Sequence, residues 1–105
     1  MWNEPSKQDL QKIGIPKLYD DEETPLKDKL IYGHFFIGAC DWFIAEWDGG
    51  DLFFGYANLG DDQCAEWGYI SFSELKSLNI NGFEIEYDAH WKIRPAKEVS
   101  KIIFR

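Results

Sequence analysis

A chain of 105 residues, 45 % of them apolar and 17 % aromatic, is long enough for one domain with a real core and too short for two. Its formal net charge of −8 argues against direct binding to DNA, RNA or an anionic membrane, all of which need clustered Lys and Arg. No apolar run approaches the roughly 20 residues of a membrane span, and no charged-then-apolar leader is visible, so a cytoplasmic location is expected.

In chain order, Ser6 to Ile13 sets Leu10 and Ile13 at helical spacing behind a Ser6 cap, with Asp9 three residues on. This predicts a short helix ended by Gly14 and Pro16. Tyr19 to Pro25 (YDDEETP) reads as an acidic loop, extended by repulsion between its like charges. Leu30 to Ile37 is rich in β-branched and aromatic residues and predicts a strand. Trp42 to Asp48 and Leu52 to Asn58 predict two more, joined by Asp48-Gly49-Gly50-Asp51, whose glycines supply the positive φ angles of a tight hairpin. Glu66 to Ile70 is a fourth, after the polar loop Gly60-Asp61-Asp62-Gln63.

Ser71, three residues before Glu74, marks the start of a second short helix with Leu75 and Leu78 on one face, closing at Asn79 to Gly82. Phe83 to Asp88 then alternates: Phe83, Ile85 and Tyr87 on one side, Glu84, Glu86 and Asp88 on the other. That is the pattern of a half-buried strand with a charged outer face. Pro95 suits a first helical turn, and Val99, Ile102 and Ile103 form an apolar stripe, so a basic C-terminal helix is expected.

Strands followed by isolated short helices define an α+β class. The expectation is an antiparallel sheet of about four to five strands with two or three short helices packed on it, as a single domain. The central strands are apolar on both faces, Trp42 and Ile44 on one and Phe43 and Trp47 on the other. Either helices and loops cover both faces, or one aromatic face stays open for binding. Cys40 and Cys64 are too far apart for a CxxC motif and are expected as reduced thiols.

Several blocks are jointly more specific than any one of them: Ile15-Pro16-Lys17-Leu18-Tyr19, Pro25 through Tyr32, His34-Phe35-Phe36, Glu46 through Gly55, and Gly68 through Leu75. On these the chain resembles a family of small bacterial proteins catalogued as a domain of unknown function (number 2958). The segment Asp61 to Glu66, Trp67 and the basic tail depart from that pattern. The resemblance implies no assigned activity. It implies a setting in plasmids, integrative elements and phages, often beside antirestriction genes, which is associational.

Between Lys29 and Lys92 lie eleven carboxylates and one basic side chain, Lys76. On one strand face Glu84, Glu86 and Asp88 would stand roughly 6.6–7 Å apart, a row of anions able to imitate a nucleic-acid backbone or simply to be solvated. Asp48 and Asp51, with Glu46, have the oxygens for a hard cation but no metal-loop spacing; beside a Gly-Gly turn they more commonly serve the turn. His34 or His90 beside a carboxylate has the chemistry of a general base, and Cys40 with His34 that of a nucleophile and base, without a visible oxyanion hole. Ser71 and Ser73 read as capping residues.

The leading expectation is a non-enzymatic, cofactor-free interaction protein from a mobile element. It would inhibit a nucleic-acid-handling defence complex, a CRISPR effector or restriction subunit, by presenting an acidic surface to a basic channel. Glu84, Glu86 and Asp88, with Asp48, Asp51, Asp61 and Asp62, would supply the charge, and Trp42 or Trp47 an apolar anchor. Two other classes stand beside it: a small hydrolase or metal-dependent enzyme using His34 or His90, and an accessory scaffold of a conjugation or replication complex.

Overall fold

Local chemistry builds the first element as the spacing predicts. In the computed structural model, which describes residues 5–20, 22–80 and 82–103, helix α1 (Lys7–Ile13) begins at a reciprocal capping box. The Asp9 N–H donates to Ser6 Oγ and the Ser6 N–H to the Asp9 carboxylate, each at 3.0 Å. Two of the N–H groups orphaned at the helix start are thereby satisfied. Gly14 ends the helix at φ 80°, and Leu10 is the residue it buries.

Five strands form the main sheet. They are β2 (Gly33–Ile37), β3 (Cys40–Trp47), β4 (Leu52–Asn58), β5 (Glu66–Ser71) and β8 (Glu86–Tyr87), in the order β5–β4–β3–β2–β8 with every pair antiparallel. The α+β class is thus confirmed. The β3–β4 hairpin closes through the Asp48 N–H to the Leu52 carbonyl at 2.9 Å, with Gly49 at φ 84°. The strand expected over residues 30–37 is divided in two. β1 (Leu30–Ile31) pairs with β9 (Arg94–Pro95), while β2 pairs with β3.

One irregularity decides which side chains share a face. Register runs Ile44↔Gly55 and then Glu46↔Phe54, so Ala45 is an extra residue, a β-bulge. A bulge shifts the two-residue alternation by one. Trp47 therefore joins Trp42 and Ile44 on the first face, correcting the expected pairing of Trp47 with Phe43, and Glu46 turns to the second face.

The first face carries Phe35, Trp42, Ile44, Trp47 and Phe53 beneath α1 and α2 (Phe72–Ser77), which add Leu10, Phe72 and Leu75. The second carries Phe43, Ala45 and Tyr56 beneath the C-terminal strap, which adds Ala96, Val99 and Ile102. Each fully buried Phe or Ile contributes about 1.5–3 kcal/mol. The central strands are covered on both sides, so neither sheet face stands open as a whole.

Two further expectations are corrected. Phe83 to Asp88 is not one strand: β7 (Phe83–Glu84) pairs back onto β6 (Asn79–Ile80), and only β8 joins the main sheet, beside β2. Ile85, between them, is fully buried, whereas Phe83 is 71 % exposed. The basic C-terminal helix is a single 3₁₀ turn (Ala96–Glu98). The Ala96 N–H is taken by the Lys29 carbonyl at 2.9 Å, which draws Arg94 and Pro95 into extended pairing with β1 and forestalls an earlier helix start. Val99 and Ile102 are buried all the same.

Candidate functional site

Alternation along β2 turns His34 onto the second face, where it stacks on its register partner Phe43 at 4.7 Å and 7° and on Phe36 at 5.3 Å. Its Nε2 lies 2.7 Å from Asp41 Oδ1 and its Nδ1 3.2 Å from Asp88 Oδ2. The other Asp41 oxygen accepts from Lys101 Nζ. An imidazolium donates to both carboxylates; a neutral ring has one N–H and donates to only one. Both ring nitrogens face carboxylates at hydrogen-bond distance, so neither is open toward a substrate as a base. Cys40 packs against the first-face core, on the opposite side of the sheet from His34, so the two do not form a nucleophile and base. Neither cysteine is in a disulfide. His90 is exposed, its backbone N–H donating to Asp88 Oδ1 at 3.0 Å.

A second charge centre sits on the same face. Lys29 Nζ meets Glu46 Oε2 at 3.0 Å with both side chains 6 % exposed, and Glu46 Oε1 accepts the Tyr19 N–H at 3.0 Å. The bulge at Ala45 places Glu46 there. Its sequence signal was one carboxylate within an otherwise apolar stretch of β3, which acid counting treated as surface charge.

Two cavities adjoin these centres. One, of about 470 Å³, is lined by His34, Asp41 and Asp88 together with Lys92, Arg94 and Lys101; Arg94 lies over the Trp91 ring at 4.4 Å. The other, of about 430 Å³, is lined by Tyr19, Phe54 and Tyr69 with Glu22, Glu23 and Glu46.

The residues singled out from the sequence separate in space. Asp48 Oδ1 accepts from the N–H groups of Gly50 and Leu52, at 2.7 and 3.1 Å. Asp51 takes the Ser73 N–H at 2.8 Å and the hydroxyls of Ser71 and Ser73, fastening the hairpin to the start of α2. The Ser73 and Ser71 hydroxyls, in that order, hold its carboxyl below the ordinary value of 3.8. Ser71 also caps α2, its Oγ accepting from the Glu74 N–H. Asp61 and Asp62 lie beyond the far end of β4, where Asp62 accepts from Asn58 at 2.8 Å and Asp61 from the Gln63 N–H at 3.0 Å. Glu84 and Glu86 are exposed, but Asp88 is half-buried against His34, so the three acids are not one outward row.

Trp42 and Trp47 are 7 % and 5 % exposed. Lying beneath the helices, they are core residues and not surface anchors. Among the described residues no group of three or more His, Cys, Asp and Glu side chains is placed to hold a metal ion; Asp48 is taken up by its own turn and Asp51 by the start of α2.

Fold and surface together define a small acidic α+β domain built on a two-faced aromatic sheet. The chain belongs to the family described as protein of unknown function (DUF2958), whose model matches residues 10–102. That span runs from α1 to the end of the second-face strap. No curated protein and no solved structure matches the chain. Among the described residues no helix is long and apolar enough to cross a membrane.

Proposed function

We propose that this protein is a non-enzymatic interaction protein whose exposed carboxylates dock on a basic protein surface, one that otherwise holds nucleic-acid phosphates. A CRISPR effector or restriction subunit is the partner class in view. One observation carries the reading. Of the eleven carboxylates between Lys29 and Lys92, Asp41 and Glu46 are buried and Asp88 half-buried, and the other eight are exposed. Three of the lysines outside that span are held by carboxylates instead: Lys29 by Glu46, Lys97 by Asp28 and Lys101 by Asp41. The exposed acids border the sheet. Asp48 and Asp51 stand at one end of β4 and Asp61 and Asp62 at the other, separated by about 20 Å, the length of a seven-residue strand. Glu84 and Glu86 flank the β8 edge. Such spacing fits a partner that spans the domain, and complementary charge at that scale steers association.

The test is capture of partners from bacterial lysate by the tagged protein at low and high salt. A nucleic-acid-handling complex bound at low salt, released at high salt and lost with Glu84→Lys/Glu86→Lys supports the reading, since screening weakens charge-driven docking. A partner indifferent to both salt and charge reversal removes it. Asp88 is left unchanged because it holds His34.

A further inference from the structure

The cavity beside Glu46 is walled by Tyr19, Tyr69 and Phe54, with Leu26, Glu22 and Glu23 at its rim. Tyr19 and Tyr69 are 60 % and 55 % exposed, yet both are held in place. Their hydroxyls are bonded at 2.8 Å, and the Tyr69 ring meets Phe54 edge-on at 5.6 Å. Tyr19 is the one non-glycine among the described residues with positive φ, 71°, and its N–H is fixed by Glu46. Preorganised aromatic walls of this kind lower the ordering cost of binding.

The charge of the cavity fixes the sign of its occupant. Lys29 is neutralised by Glu46, while among the described residues Glu22 and Glu23 are exposed and in no ion pair. Two uncompensated carboxylates remain. In the cavity beside His34 three cations, Lys92, Arg94 and Lys101, face two carboxylates, Asp41 and Asp88, and the balance has the opposite sign. The Tyr69 hydroxyl has its pKa raised, first by the bond with Tyr19, then by burial, with the nearby carboxylates of Glu46 and Glu22 adding to it.

We infer that the Tyr19–Tyr69–Phe54 cavity receives an arginine side chain of the partner, its guanidinium against the tyrosine rings and its N–H fork toward Glu22 and Glu23. Aromatic faces attract a cation. A guanidinium both stacks on rings and presents a planar fork to carboxylates, which an ammonium does not. The inference rests on the basic-partner reading and gives it the anchoring pocket that the buried Trp42 and Trp47 do not supply.

The test is an NMR titration of the full chain with N-acetyl-arginine amide, with the neutral citrulline analogue as control. Ring-proton shifts at Tyr19, Tyr69 and Phe54 should saturate in the range of about 1–10 mM, with citrulline at least about tenfold weaker. Tyr69→Ala should abolish the shifts at Tyr19 and Phe54. Glu22→Gln/Glu23→Gln, which alters no internal bond described above, should weaken binding about tenfold. Silence at the three rings, or equal binding of citrulline, overturns the inference. A salt-sensitive partner whose capture is unaffected by Tyr69→Ala removes the pocket and leaves the acidic margin standing. Arginine binding without any salt-sensitive partner keeps the pocket and removes the docking reading.

Discussion

Replacing Lys29 with Met strands a carboxylate in the interior. Glu46 is 4 % exposed and, among the described residues, keeps only the Tyr19 N–H once Nζ, now 3.0 Å away, is gone. At an effective dielectric of about 20 the gross attraction at that distance is about 5 kcal/mol. Desolvation offsets much of it in the intact pair, but a lone buried charge still bears that penalty, so removing one partner costs about 3–5 kcal/mol. That is a large part of the roughly 5–15 kcal/mol that holds a domain folded. The pair Lys97–Asp28, with side chains 55 % and 40 % exposed, serves as the control, and its loss should cost at most about 1 kcal/mol. Urea unfolding followed by tryptophan fluorescence measures all the variants. Lys29→Met/Glu46→Gln should be more stable than Lys29→Met alone, because the amide accepts the Tyr19 N–H without a charge to bury. If Lys29→Met matches Lys97→Ala, or if the double variant loses the sum of its two singles, the buried-pair argument is wrong.

Glycine substitutions test the bulge. A Cβ at Gly55 would lie 1.9 Å from the Phe43 carbonyl oxygen, whereas at Gly68 nothing lies within 4 Å. Gly55→Ala should therefore cost more than about 3 kcal/mol or prevent folding, while Gly68→Ala should stay within about 1 kcal/mol of the parent; the comparison is by Tm. Asp51 carries a pH signature. Its folded carboxyl titrates below the ordinary 3.8, so its stabilisation is present above that value and lost as pH falls through the folded one. Asp51→Asn should be less stable than the parent at neutral pH, with the gap closing below 3.8; a gap unchanged down to about pH 2 would contradict the Ser71–Ser73 tether. Ser6→Ala removes the acceptor for the Asp9 N–H and should cost about 1 kcal/mol, read from denaturant midpoints.

Wherever the governing interaction is local, the amino-acid order by itself determined the outcome. Ser6 with Asp9 and Ser71 with Glu74 set two helix starts, and Gly49-Gly50 set the hairpin, because caps and turns are closed by groups within a few residues of each other. The α+β class followed from those elements. Only the tertiary structure decided the bulge at Ala45, which reversed Trp47 and Glu46 across the sheet. It alone also set the pairing of Arg94–Pro95 with Leu30–Ile31 in place of a helix, and the meeting of Tyr19 with Tyr69 across 50 positions. Counting charges along the chain likewise placed Asp41, Glu46 and Asp88 with the surface acids, although Lys101, Lys29 and His34 hold them inward. Periodicity assumes an unbroken alternation and sees only near neighbours, whereas strand register and buried ion pairs are chosen by partners far along the chain.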